Sequence, residues 1–508
     1  MVCGKTGRVG RSLALGRSLA LLMVGAPACA GGVGLGDETA AQQTSGSGGA
    51  SGSSGDTTAV TPTEAGSTST GGPDTSSGDS SSSGGSETGS SSSGGDETTT
   101  GADEPHPELY PTDRTHSPIS AYVADRLRAI AAAPAGVDKR PAVFAKIGGS
   151  TSASANFMQC FQTDAAIKEL APELMPTVTH FRSVDLGMGV TAFDRVSAAA
   201  KAGFTSTDLV TGAPTPINDE VAAILPRFAQ ILVGTHDLEK DQPAELYTFA
   251  DNLLGTVDTL ITIGVVPILS TIPQRRDLPL KDPFVARYNA VVRAVAQGRQ
   301  IPLVDLHREL AMLPNLGLTA MGDLSVFVSA MVDRPCHFGE SALQNGYNVR
   351  NLEDLRALDR AKQVVVDAVA ELDPPGPRLL GAGTPADPYE VPSLPFVDLQ
   401  TTMGSPSDGF DMYTGVCDAA KDESGPERVY RFELASDANL RVMVFDRGMV
   451  DVDVHLLQEP TPDKCLARND KEINGPLDSG TYYVVVDSYA GDVPGGAAGE
   501  YMLVVMAE

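Results

Sequence analysis

One part of the sequence, residues 116–376, alternates short apolar segments with longer amphipathic ones, and this alternation constrains the fold most strongly. The short segments are rich in β-branched residues and read "AVFAKI", "QILVGT", "GVVPILST" and "QIPLVDL". Such segments are typical of strands that are buried on both faces of a sheet. The segments between them, such as "PFVARYNAVVRAVAQG", have helical periodicity. The pattern predicts an α/β domain in which helices cover both sides of a parallel sheet.

The pattern changes in residues 387–508, where apolar and polar residues alternate with a period of two. The alternating segments include "RVYRFEL", "NLRVMVFD", "TYYVVVDSY" and "EYMLVVMA". Turns that contain Gly, Asp and Pro separate them. This pattern predicts an antiparallel β-sandwich as a second folded domain.

The first residues read as an export signal. A basic region precedes the short apolar run "SLALLMVGAPACA", which ends in small residues and is too short to span a bilayer permanently. We therefore predict a signal peptide over residues 1–29, followed either by ordinary cleavage or by lipidation of Cys29, which would anchor a lipoprotein. Residues 30–115 are rich in Gly, Ser and Thr and contain little to bury, so we expect a disordered tether.

The net charge restricts the kinds of partner that the chain can bind, and the cysteine content indicates the compartment in which it folds. The net charge of −28 disfavours binding to nucleic acids and anionic membranes. Beyond the signal, four cysteines remain, an even number that predicts disulfides in an exported chain. If each disulfide joins two cysteines of the same domain, the pairs are Cys160–Cys336 and Cys417–Cys465. Cys and His spacing typical of a zinc site does not occur, so the sequence predicts no metal site.

Three motifs, "IGGS", "AGFTSTDL" and "VGTHD", recur where strands of the first domain end. Together they resemble the SGNH (GDSL) hydrolase family, over about residues 140–370. The resemblance implies a flavodoxin-like three-layer αβα fold and an ester hydrolase that needs no cofactor. It implies that Ser150 is the nucleophile and that Ser150, Gly203 and His236 form the oxyanion hole. Two positions depart from the family pattern, since Gly149 replaces an Asp and His236 replaces an Asn.

The residue that serves as the catalytic base depends on how the sequence is aligned with the family's motif, and two alignments are possible. The family supplies it from an Asp-x-x-His motif, which can fall on Asp333 and His337 with one extra residue between them. Counted back from "NGYNVRNL", it falls instead on Met321 and Leu324, neither of which can move a proton. The first register predicts an esterase; the second predicts a catalytically impaired pseudoenzyme that binds a surface ligand, such as a carbohydrate.

The second domain resembles the bacterial pre-peptidase C-terminal β-sandwich, which implies attachment to a cell-surface polysaccharide. Its acidic residues Asp451, Asp453 and Asp487 either bind Ca²⁺ or face solvent. The combined prediction is a secreted or surface-tethered bacterial hydrolase of acyl esters, for example acetylated glycans or lipids. Its partners would be a small-molecule or glycan ester, a surface polysaccharide and a lipid anchor, without nucleic acid.

Overall fold

A computed structural model describes residues 106–133, 137–417, 423–490 and 497–508. The predicted signal peptide, with Cys29, and most of the predicted tether lie outside these ranges. Residues ahead of the predicted boundary at residue 116 pack into the folded domains, since Leu109 and Tyr110 are buried and the Tyr110 amide donates to Gln297 Oε1 at 2.9 Å. Among the described residues, no helix has both the length and the hydropathy that crossing a membrane requires.

The α/β domain contains a sheet of four parallel strands in the order β1-β2-β3-β4. These strands are β1 Arg140–Gly148, β2 Pro226–Leu232, β3 Val266–Ser270 and β4 Leu303–Val304. A parallel bridge between Gly148 and Ala200 extends the sheet on the far side of β1. Because this fifth segment follows β1 in the chain and precedes β2, the strand order is the predicted flavodoxin-like one.

Helices cover the sheet on both faces, since β3 is buried along its whole length and β2 along almost all of it. One layer pairs α1 with α9, and the other pairs α6 with α7. The helices are α1 Ala121–Ala132, α2 Ser150–Ala153, α3 Met175–Arg182, α4 Ser206–Val210, α5 Pro216–Ile224, α6 Ala244–Thr262, α7 Val285–Arg299, α8 Leu306–Ala311 and α9 Gly346–Val365. A small exposed hairpin, β5 Val328–Ser329 and β6 Val332–Asp333, precedes α9.

The second domain is the predicted antiparallel β-sandwich. Its sheets have the orders β13-β10-β15-β8 and β12-β11-β14-β9-β7, and only the short pair β7–β9 is parallel. The strands are β7 Tyr389–Glu390, β8 Phe396–Thr401, β9 Arg428–Leu434, β10 Ala438–Asp446, β11 Val452–Leu457, β12 Cys465–Asn469, β13 Glu472–Leu477, β14 Gly480–Ser488 and β15 Glu500–Ala507. Alternate residues of β11, such as Val452 and Val454, fill the core between the sheets.

The sandwich packs directly on the α/β domain. Leu399 and Met502, on the outer face of the four-stranded sheet, belong to the same hydrophobic core as α6 and α7. Leu399 lies so close to Gly298 of α7 that a Cβ there would approach it to 2.3 Å. Arg299 adds ion pairs with Asp258 and Glu500, both at 2.6 Å. The two domains therefore form one compact unit.

Both predicted disulfides form. One joins Cys160, in a short turn after α2, to Cys336, which precedes α9. The other joins Cys417 to Cys465 at the start of β12. Each bond lies within one domain, as the sequence predicts.

Candidate active site

Ser150 lies directly after β1, at the carboxyl edge of the parallel sheet. Gly148 has φ +137°, and a Cβ there would lie 1.8 Å from the carbonyl oxygen of Leu232, so the tight turn requires glycine. The chain then enters α2, whose first residue is Ser150. The hydroxyl is half-buried, at the edge where loops from several parallel strands converge.

A cavity of about 60 Å³ lies beside Ser150. Its lining comes from segments that follow the carboxyl ends of β1, β2 and β3, together with the segment after α8. The lining residues are Ser150, Thr151, Thr235, His236, Glu239, Pro273, Arg275, Asp277, Met321, Gly322 and Asp323. The cavity thus places a hydroxyl, an imidazole and several carboxylates in one small space.

His236 presents one edge of its ring to the turn that carries Ser150. A Cβ added at Gly149 would lie 3.3 Å from Cδ2 of His236, the carbon bonded to Nε2. Nε2 is buried and has no hydrogen-bond partner among the described residues, whereas Nδ1 lies 3.3 Å from Oε1 of Glu239. A larger residue at Gly149 would crowd the imidazole, so the two departures from the family pattern fit each other sterically.

Arg275 fixes the acidic side of the cavity. Its guanidinium donates to Oε1 of Glu239 at 2.9 Å, to Oδ2 of Asp277 at 2.8 Å and to the carbonyl oxygen of Thr235 at 2.6 Å. Hydrogen bonds from Arg275 lower the pKa of the Asp277 carboxyl. Burial opposes the charge of Arg275, but its bonds to Asp277 and Glu239 outweigh this and raise its pKa. Arg275 therefore positions Glu239, the carboxylate that faces His236.

The loop that carries Gly203 lies against the same turn. Asp237 is fully buried and accepts hydrogen bonds from the amide and the hydroxyl of Ser206, which anchors this loop. Burial raises the pKa of the Asp237 carboxyl. The carbonyl oxygen of Phe204 lies 3.3 Å from the position of a Gly149 Cβ. Gly203, at φ +85°, is next to Phe204 and exposed, although the cavity lining does not include it.

The structure does not bring the predicted pair Asp333 and His337 to Ser150. Asp333 ends the exposed strand β6, where Oδ2 accepts a hydrogen bond from Asn156 at 3.2 Å. His337 pairs through its backbone with Lys168. In the described ranges neither residue lines the cavity, and no ion pair joins the two. The physical reason is the local cross-linking, because the disulfide at Cys336 ties this segment to the turn after α2 instead.

The other register is the one that reaches the cavity. Met321, Gly322 and Asp323 line it, and Leu324 is buried with Cδ2 2.9 Å from the position of a Gly346 Cβ. In that register the predicted position of the base therefore carries an aliphatic side chain packed into the core. Neither His337 nor Leu324 therefore offers a base to Ser150.

A buried ion pair between Arg350 and Asp354 packs against the helix that carries Ser150. Arg350 of α9 donates to Ser152 Oγ at 3.0 Å and to Asp354 Oδ2 at 3.3 Å, and it stacks over the ring of Phe157 at 3.8 Å. Asp354 also accepts from Ser270 at the end of β3. Removing one member of such a buried pair typically costs about 3–5 kcal/mol. The pair therefore fixes α2 relative to β3 and α9.

Sequence reasoning missed Glu239, Arg275 and Asp277. Glu239 follows His236 by three residues, a spacing that places the two on one side of a helical turn. Arg275 and Asp277 follow β3 in a stretch with no diagnostic pattern, "STIPQRRD", so only the fold brings them to the cavity.

No family model and no curated protein matches the chain. Among solved structures, it is similar to an acetylxylan esterase from Geobacillus stearothermophilus, with 16% identity, a TM-score of 0.27 and coverage of 42% of this chain and 92% of the other. It is also similar to a GDSL-like lipase from Bacteroides thetaiotaomicron, with 17% identity, a TM-score of 0.23 and coverage of 32% of this chain and 74% of the other. A third similar structure is a pre-peptidase C-terminal domain of a collagenase from Bacillus anthracis, with 20% identity, a TM-score of 0.17 and coverage of 23% of this chain and 91% of the other. With likenesses this distant, the chemistry of the site rests on its own geometry.

Proposed function

We propose that this chain is a serine ester hydrolase that cleaves short acyl esters at Ser150. One observation carries the proposal: Ser150 and His236 line one cavity, and Glu239 faces the second ring nitrogen of His236. A carboxylate at Nδ1 holds a proton there and leaves the Nε2 lone pair free to accept another. His236 then serves as the base, a role that the sequence assigned to His337.

The acylation step uses this arrangement directly. Ser150 Oγ attacks the ester carbonyl carbon while its proton passes to Nε2 of His236. The negative carboxylate of Glu239 stabilises the imidazolium that forms. We assign stabilisation of the oxyanion to the backbone N–H groups of Ser150 and Gly203. When the C–O bond of the ester breaks, Nε2 returns the proton to the leaving alcohol.

In the deacylation step, water takes the place of Ser150 as the nucleophile. His236 accepts a proton from a water molecule, whose oxygen attacks the acyl–Ser150 carbonyl carbon. The bond between the acyl carbon and Oγ breaks, and the proton returns to Oγ. The products are a carboxylic acid and the regenerated hydroxyl, so no cofactor enters the balance.

The dimensions and charge of the cavity favour a small, uncharged acyl group. A volume of about 60 Å³ exceeds the ~10–15 Å³ that a cavity needs to hold one water, so an acetyl group has room. The carboxylates of Glu239, Asp277 and Asp323 at the cavity disfavour anionic substrates and offer acceptors to hydroxyl groups. We therefore infer that the alcohol part of the substrate is polar and uncharged, such as a sugar.

Export to the cell surface is part of the proposal. It rests on the signal-like N-terminus and on the two disulfides, which persist in oxidising compartments.

A second candidate function is binding of the same ligands without turnover. The aliphatic residues Met321 and Leu324 in the register of the family's acid and base favour it. Hydrolysis separates the two candidates, because a binding protein would retain the ligand and release no acid.

We expect hydrolysis of 4-nitrophenyl esters to follow acyl length, with the highest kcat/KM for the acetate and a fall of at least ~10-fold by the octanoate, because a small cavity rejects added methylenes. Initial rates with the acetate, butyrate and octanoate measure this. Preference for the octanoate would contradict the short-acyl assignment. Rates equal to buffer for all three would contradict hydrolysis itself and favour the binding function.

A further inference from the structure

Three side chains of metal-ligand type meet in the sandwich, far from Ser150 in the chain. Glu423 precedes β9, His455 lies in β11 and Asp487 lies in β14. In each residue one ligand atom lies within 4.8 Å of those of the other two. His455 and Asp487 have 0% exposure and Glu423 has 2%.

The strand register explains why these side chains converge. Asp453 of β11 lies directly opposite Asp487 of β14, and His455 follows Asp453 by two residues, so all three point to one face of the sheet. The core-facing residues of β11, such as Val454, lie on the other face. The segment before β9 crosses the polar face and adds Glu423.

Aromatic residues close this cluster from water. The ring of Tyr413 stacks on His455 with centroids 3.7 Å apart, and its hydroxyl donates to Asp487 Oδ2 at 2.8 Å. Phe410 packs beside Tyr413, and the disulfide at Cys417 holds the same segment to β12.

Several buried atoms in the cluster have no hydrogen-bond partner among the described residues. These are both ring nitrogens of His455, Oε2 of Glu423 and Oδ1 of Asp487. His455 Nε2 lies 3.1 Å from Glu423 Oε2, an ion-pair distance, although the contact is not aligned as a hydrogen bond. Buried polar atoms are nearly always satisfied, so this convergence of lone pairs points to a missing ligand.

The charge of the cluster is also unbalanced. Arg468 contacts Glu423 and Asp453, whereas in the described part of the chain no cationic side chain pairs with Asp487. Like charges directly opposite on neighbouring strands are destabilising, as for Asp453 and Asp487. A divalent cation would satisfy the free atoms and neutralise the excess negative charge together.

We propose that Glu423, His455 and Asp487 bind one divalent transition-metal ion of the Zn²⁺ class. An imidazole nitrogen with two carboxylate oxygens suits Zn²⁺, whereas Ca²⁺ and Mg²⁺ take oxygen ligands. The site is closed, so the ion is structural and joins the segment before β9 to strands β11 and β14. This proposal differs from the sequence prediction of no metal and from the alternative of Ca²⁺ at Asp451, Asp453 and Asp487.

The test uses the full chain, stripped with a chelator and titrated with Zn²⁺. We expect one Zn²⁺ per chain and a thermal midpoint that rises with Zn²⁺ concentration. His455→Gln and Asp487→Asn should each weaken binding at least ~100-fold, at the upper end of what losing an outer partner costs. The control His180→Gln, in the other domain, should bind as the wild type does.

Absence of bound Zn²⁺ in the wild type, or equal affinity in His455→Gln and His180→Gln, would overturn the proposal. X-ray absorption of the Zn²⁺-loaded wild type needs no variant to fold. It should show nitrogen and oxygen ligands with the outer scattering of one imidazole. A first shell without imidazole would overturn the site equally. Ester hydrolysis at Ser150 is measured separately, so neither result decides the other.

Discussion

For the Ser150→Ala variant we expect kcat for 4-nitrophenyl acetate to fall by about 10⁴–10⁶-fold, the range lost when a serine nucleophile is removed. The substitution removes only Oγ, at the first residue of α2. That hydroxyl makes no hydrogen bond with other described residues, so folding should be unaffected. Steady-state kinetics on the purified variant, with its thermal midpoint as the folding check, measure this.

Ser183→Ala is the matched control for Ser150→Ala. Ser183 is exposed after α3 and donates only to the carbonyl oxygen of His180. Its loss should leave kcat within about twofold, because a surface substitution away from the cavity changes little. Equal rates for wild type and Ser150→Ala would remove Ser150 from the reaction.

The second large effect is expected at His236. Replacing it by Asn restores the family's residue and keeps an N–H donor, but it removes the base. If His236 accepts the Ser150 proton, kcat should fall by about 10²–10⁴-fold. If His236 only donates to the oxyanion, Asn should preserve most of the rate. Kinetics with 4-nitrophenyl acetate, with and without added imidazole, separate these cases, since free imidazole should partly rescue a missing base.

His337→Gln is the matched control for His236→Asn, because it tests the register that the sequence favoured for the enzyme. His337 does not line the cavity, so we expect an unchanged kcat. A large loss in His337→Gln together with a retained rate in His236→Asn would reverse the assignment of the base.

The architecture was predictable from sequence because burial leaves a direct pattern. The strand β3, which is covered on both faces, contains no charged residue. Strands of the sandwich, such as β9, alternate apolar and polar residues. The disulfide pairs followed from domain closure. The packing of residues 108–110 was not predictable, because Leu109 is buried by distant partners such as the segment near Arg378, with which Glu108 forms a bridge.

The site was only partly predictable. Ser150 and His236 follow strands whose apolar patterns are clear, so both could be placed at the carboxyl edge of the sheet. Glu239 lies three residues after His236, a spacing that could have revealed their contact, whereas Arg275 comes from a different loop and sequence spacing does not record its contact with Glu239. The choice between Leu324 and His337 depended on a long segment that contains only the short strands β5 and β6 in the described structure, and its path is set by tertiary bonds such as that at Cys336.

The most direct test of the central claim is covalent labelling of the folded chain with a fluorophosphonate. An activated serine displaces fluoride and forms a stable bond between Oγ and phosphorus. We predict labelling of the wild type at one peptide, the one that carries Ser150, and strongly reduced labelling of His236→Asn. Wild-type protein that stays folded yet unlabelled at Ser150 would contradict the account.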